Sequence, residues 1–170
     1  MCHHLHIDKS RTINATRLEQ SLSHMKEKWF LMRDIKEQYT NDDLHERMMH
    51  TTSYLVNQGC RKMRTFVDVD HVVGLEPLHC AMRIKRFWKT LDVDVQIGTQ
   101  LLEGLQTKED IRLFNEASLF VDFIGCLPSR DIDSNKHLDI VFDKAKELDK
   151  DIEAHLDQCN IPSEKETELF

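Results

Sequence analysis

From the second onward, short apolar segments recur between amphipathic helical stretches at a spacing of about 30 residues, the length of one strand–helix unit. This rhythm constrains the 170-residue chain more than any other feature. Strand candidates lie at residues 4–8, 63–69, 93–99, 119–126 and 152–157, each a short apolar or alternating run. Between them the periodicity turns helical. In residues 41–59, Leu44, Met48, Thr52 and Leu55 fall about one turn apart. Asn41, Asp42 and Asp43 suit the positive end of that helix and Gly59 suits its stop. In residues 134–150, Leu138, Val141, Phe142, Ala145 and Leu148 make one apolar stripe, with Ser134 as the expected N-cap. A third helix over residues 74–89 is expected to bury Leu75, Leu78, Met82 and Trp88, and a shorter one covers residues 107–116. Strand–helix alternation of this kind predicts an α/β fold with a parallel sheet, open or closed into a barrel.

Residues 10–40 break the rhythm. They are polar, carry "HMKEKWFLMRDIKEQ", and read as a loop plus helix inserted after the first strand. Such a connection either covers a site or packs Trp29, Phe30 and Ile35 as a surface helix. At the other end, Ser163 and Glu166 have the spacing of a capping box that starts another helix. A complete barrel needs about 250 residues, so the expectation is one truncated domain over residues 1–170.

The net charge of −7 argues against a basic nucleic-acid surface. The longest apolar run, residues 119–127, is interrupted by Asp122 and reads as a core strand and not a membrane span. The first residues carry no apolar core of a secretion signal, and the five cysteines lack CxxC spacing. Free thiols in a reducing compartment, and hence a cytoplasmic location, are expected.

The chemistry begins at "MCHHLHIDKS". Alternate side chains of a strand share a face, so His4 and His6 project together, as chelation of a divalent ion requires. With ten histidines in the chain, an HxH can also arise by chance. His155 strengthens the case, because it lies near the C-terminal end of the fifth strand candidate, where α/β folds gather their sites. His24, His45, His50, His79 and His137 fall on helical stretches and are expected to face solvent. His71, just after the second strand, is a marginal candidate.

Beyond the histidines, "HLHIDKS", "RTFVDVD", "VQIGTQLLEGL", "DFIGCLPSRD" and "HLDIVFDKAKELDKDIEAHLDQ" follow in order along nearly the whole chain. With them the chain resembles the cytosine deaminase-like branch of the amidohydrolase superfamily. The resemblance implies a partial (β/α)8 TIM-type barrel of about five parallel strands with flanking helices, its metal at the C-terminal mouth. It implies His4, His6 and His155 as ligands of one divalent ion, zinc or iron. The implied activity is hydrolytic deamination, at a carbon–nitrogen bond, of a small heterocyclic amine or amide.

Three positions depart from that pattern. Gln158 stands where the family carries its proton-shuttling glutamate, and its amide neither takes up nor releases a proton near neutral pH. It is therefore expected to orient water or substrate by hydrogen bonds. Leu102 replaces a glutamine that reads the pyrimidine edge, and Phe66 a common histidine. With the later strands absent as well, the isolated chain is expected to be weak or inactive. The alternative is a catalytically dead half-barrel acting only as an interaction or assembly partner, as a homo-oligomer or with a second chain that completes the barrel.

Overall fold

The computed structural model describes residues 1–22, 24–156 and 158. Five parallel strands form: β1 (Cys2–Leu5), β2 (Lys62–Asp68), β3 (Asp94–Gln100), β4 (Ile124–Cys126) and β5 (Ile152–Ala154). β2 lies between β1 and β3, β4 pairs with β5, and a bridge from Gly98 to Phe123 links the two sheets. Helices fill every connection: α1 (Ala15–Ser21), α2 (Met25–Lys36) and α3 (Asn41–Asn57) before β2, then α4 (Glu76–Lys89), α5 (Lys108–Ser118) and α6 (Ser134–Leu148). Consecutive parallel strands with a helix across each connection are the β/α units of a partial barrel.

The helices start where short polar side chains meet their free N–H groups. Thr40 Oγ1 accepts from Asp43 N at 3.2 Å, and Thr107 Oγ1 from Asp110 N at 3.0 Å. At α6 the cap is Asp133, whose carboxylate accepts from Lys136 N at 3.0 Å, and Ser134 is the first helical residue. Gly59 takes φ +85° just after α3, a conformation that costs a glycine little.

Alternation in the strands separates two environments. Met63 and Val67 of β2 and Val95 and Ile97 of β3 pack with Leu44, Met48, Leu78, Ile84 and Trp88 of the helices. Each such side chain, fully buried, contributes about 1.5–3 kcal/mol. Trp88 Nε1 donates to Thr52 Oγ1 at 2.7 Å, satisfying a hydroxyl and an indole inside this core. The opposite face of β2 carries Arg64 and Phe66, which turn inward toward Phe123 and the histidines.

Residues 10–40 hold two helices, and α2 makes a separate core. Met25, Trp29, Leu31, Met32 and Ile35 pack with Leu102 and Leu127 beyond the ends of β3 and β4. Phe30, expected to pack with them, is exposed. The strand expected at 119–126 shortens to its last three residues, because α5 runs on to Ser118 and leaves Leu119 and Phe120 exposed. On α6 Phe142 faces solvent, while His137 joins the buried face with Val141 and Ala145. Asp157, Pro162, Ser163 and Glu166 lie outside the described residues. Among those that are described, no cysteine is disulfide-bonded, and no helix is long and apolar enough to cross a membrane.

Candidate metal centre and adjoining cavity

After β1 the chain tightens into a 3-10 turn over Ile7–Lys9. Three hydrogen bonds fasten it to β2: Ile7 N to Thr65 Oγ1 at 3.2 Å, Asp68 N to Asp8 Oδ2 at 2.9 Å, and Lys9 Nζ to Asp68 Oδ1 at 2.6 Å. Far along the chain, His155 N donates to Cys126 O at 2.8 Å, holding the segment after β5 against the end of β4. These anchors bring His4, His6 and His155 together, with one ring nitrogen of each within 4.8 Å of the others. His6 Nε2 and His155 Nε2 are 3.2 Å apart. Glu153 Oε1 lies 3.1 Å from His4 Nδ1, the carboxylate–imidazole contact that fixes a ring's orientation.

Phe66 is the floor of this group. Its ring centroid lies 5.1 Å from His4, 5.2 Å from His6 in a stacked arrangement, and 4.5 Å from His155. Phe123 supports it edge-on at 5.1 Å, over a Gly98 with no side chain to obstruct the ring. The apolar floor removes water, and burial, reinforced by the nearby Lys9, pushes the His6 imidazole down to about 2. Burial, with His4 and Lys9 as further causes, pushes His155 down to about 4. Both rings are therefore neutral near pH 7, the form that ligates metal. Among the described residues, the Nδ1 atoms of His6 and His155 are buried without a hydrogen-bond partner. Three imidazoles converging from two chain segments fit a divalent ion such as zinc or iron.

A buried ion cluster lies beside them. Lys36, from the last turn of α2, is fully buried, its Nζ 2.6 Å from Asp70 Oδ2, 3.1 Å from Glu103 Oε1 and 3.5 Å from Asp68 Oδ2. Burial alone would lower the lysine's pKa, but the three carboxylates outweigh it and push it above its ordinary value. Lys9 Nζ takes the other oxygen of Asp68 at 2.6 Å, and Arg33 bonds Glu103. Arg130 lies over the Trp29 ring at 4.2 Å. The charges thus clamp α2 across the ends of β2 and β3.

Under α2 lies a cavity of about 360 Å³ whose walls include His6, Lys9, Trp29, Gln100, Leu102 and Gln158. Leu102 and Gln158, singled out in the sequence, therefore share a cavity with one of the three histidines. His71 does not line it; its Nδ1 lies 2.8 Å from Asp110 Oδ1 near the start of α5. His137 departs from the expectation of a solvent-facing residue: it is 1% exposed, contacts Asp131 through Nδ1, and accepts from Leu127 N at 3.2 Å. It faces the core because α6 turns that side toward the loop after β4. Lys36 and Gln100 were not picked out from the sequence, and Trp29 only as a packing residue of the connection after the first strand. A signal existed for α2: Met25, Trp29, Met32 and Lys36 are spaced four, three and four residues apart, one helical face.

No family model matches the chain. It is 32% identical over 170 residues to an uncharacterized protein of Haemophilus influenzae, spanning 97% of this chain and 61% of that protein. It is 28% identical over 162 residues to the N-isopropylammelide isopropyl amidohydrolase of a Pseudomonas species, spanning 90% of this chain and 40% of that enzyme. The chain thus covers less than two thirds of either curated relative. Its fold matches 5-methylcytosine deaminase from Klebsiella pneumoniae with a TM-score of 0.80 at 23% identity, over 91% of this chain and 38% of that one. It also matches N-isopropylammelide isopropylaminohydrolase from Burkholderia multivorans with a TM-score of 0.71 at 23% identity, over 91% and 39%. The chain therefore has the α/β fold of a partial TIM-type barrel, in common with these structures.

Proposed function

We propose that this chain supplies the first five strands, with the helices between them, of the barrel of an amidohydrolase-superfamily enzyme that hydrolyses carbon–nitrogen bonds of small nitrogen heterocycles. The observation that carries this reading is the convergence of His4, His6 and His155 at the strand ends, beside a covered cavity. The three imidazoles would hold one divalent ion, zinc or iron. When bound, that ion supplies Lewis acidity, lowering the pKa of water and polarising the carbon under attack. Glu153 orients His4, and Phe66 keeps water from the inner side of the rings. Trp29 and Leu102 wall the cavity in which a planar ring would sit, and Gln158 holds water or substrate by hydrogen bonds. An amide cannot shuttle protons at neutral pH. The chain by itself is accordingly expected to bind metal better than it turns over substrate.

Purified chain, depleted of metal and titrated with zinc or iron(II), tests this directly. The expected result is about one tight equivalent per chain, with slow amine or ammonia release from amino-substituted triazines and pyrimidines. No uptake of either metal would overturn the reading.

A second reading, a half-barrel that works through assembly, is favoured by the sheet edges. Among the described residues β1 and β5 each have a strand neighbour on one side only. Unpaired edges template association. Light scattering is expected to show mass rising with concentration; a stable monomer throughout would remove this reading.

A further inference from the structure

The wall of the cavity under α2 contains a polar group that the contacts within the chain leave unanswered. Gln100, the last residue of β3, is 2% exposed, and its Oε1 is buried without a hydrogen-bond partner among the described residues. Buried amide oxygens are rarely left so, because losing water without a replacement is costly. Its direction follows from the strand. Gly98, two residues earlier and on the same face, has Phe123 across its open side, 2.2 Å from where a Cβ would stand. Phe123 in turn packs on Phe66, the floor of the histidines. Gln100 therefore leaves β3 on the inner face, one step closer to the strand end, and lines the same cavity as His6.

Leu102 comes two residues later and offers no hydrogen bond there. Other walls near it, Met25, Trp29, Leu31 and Met32, are also apolar. The polar lining of the cavity also includes Thr12, Lys28, Gln158 and Lys9, the last a donor already engaged by Asp68. A carboxamide carries an acceptor and a donor side by side, which matches the adjacent N–H and C=O of a lactam edge on a nitrogen heterocycle.

We propose that Gln100 reads the substrate: its carboxamide pairs with a ring N–H and the neighbouring carbonyl, while Trp29, Met25, Met32 and Leu102 take an apolar substituent on the same ring. The inference rests on the hydrolase reading and adds to it which residue selects the ring and what the ring must carry. Gln100 is a specificity residue here, separate from the three imidazoles.

The test measures binding, so it does not depend on turnover by the chain. N-isopropylammelide and an analogue methylated at its ring nitrogens serve as probes in calorimetric titrations of the full chain, with and without zinc. The unmodified chain is expected to prefer N-isopropylammelide by roughly 10- to 100-fold, the range for one buried hydrogen-bonded edge left unpaired. Gln100→Met, close in size and without the amide, is expected to bind both probes with equal affinity. Gln100→Glu, which keeps an acceptor at the same place, is expected to retain part of the preference. Circular dichroism establishes that each variant is folded. A preference that persists in folded Gln100→Met overturns the proposal, as does equal binding, or no binding, of both probes by the unmodified chain. Failure of the hydrolase reading appears separately, as absence of metal uptake in the zinc titration.

Discussion

His6 and His155, 149 residues apart in the chain, bring their Nε2 atoms to 3.2 Å of each other. Neither ring is driven to protonate, because the site is buried and already faces Lys9. Replacing His155 by alanine is expected to reduce bound zinc from about one per chain to background. The contrasting variant is His137→Ala. Its ring bridges Asp131 and Leu127 N inside the core, so its loss is expected to cost about 1–3 kcal/mol of stability and leave metal binding intact. Metal analysis by mass spectrometry and urea unfolding separate the two; equal metal retention in both variants would remove the ligand set.

Lys36 balances Asp68, Asp70 and Glu103 at a site with no access to water. Lys36→Met keeps the volume and the apolar stem but removes the cation that faces Asp70 and leaves Asp68 and Glu103 to their contacts with Lys9 and Arg33. A loss of about 3–5 kcal/mol is expected, the range for breaking a buried ion pair by removing one partner. Denaturant unfolding reads it, and an unchanged midpoint would show that the cluster does not hold α2 in place.

Gly125 marks where β4 runs against β3. A Cβ there would lie 1.6 Å from Thr99 O, and the glycine's own N–H donates to Thr99 Oγ1 at 2.9 Å. Gly125→Ala is expected to destabilise by about 1–3 kcal/mol or more, because backbone must move. Thermal unfolding is the check. By contrast, Gly59→Ala meets no atom within 4 Å and suffers only from its positive φ.

Asp110 predicts a pH effect away from His4, His6 and His155. Burial would raise its pKa, but hydrogen bonds from Thr107 and from His71 outweigh this and hold it below the ordinary value. The unfolded chain therefore takes up this proton first as pH falls. The stability it contributes is fully present above about pH 4 and is lost as pH drops through the lower, folded value. Asp110→Asn is expected to make the acid side of the stability curve shallower, measured by urea unfolding at successive pH values. An unaltered curve would place the acid sensitivity elsewhere.

Much of the fold was legible because it is written in local periods. The interval between strands, the helical stripe through Leu44, Met48 and Thr52, and the two-residue offset of His4 and His6 each follow from the geometry of one element. Boundaries were less legible where two local preferences overlap, as at Leu119 and Phe120, which suit a strand but stay exposed after α5. His137 and Phe142 exchanged roles for a related reason. Periodicity ranks side chains by polarity, and it cannot see that Asp131 and a backbone N–H await a ring inside the core.

By itself the sequence determined the order of the strands and helices and put forward His4, His6 and His155 as candidate ligands, with Leu102 and Gln158 as further candidates. Tertiary structure alone decided that a lysine in a polar helix would be buried among three carboxylates, and that Gln100 would carry an unanswered oxygen into a cavity. The physical reason is range. Periodicity acts over a few residues, whereas desolvation and charge pairing depend on which distant segments come together around a group, and only the folded chain supplies them.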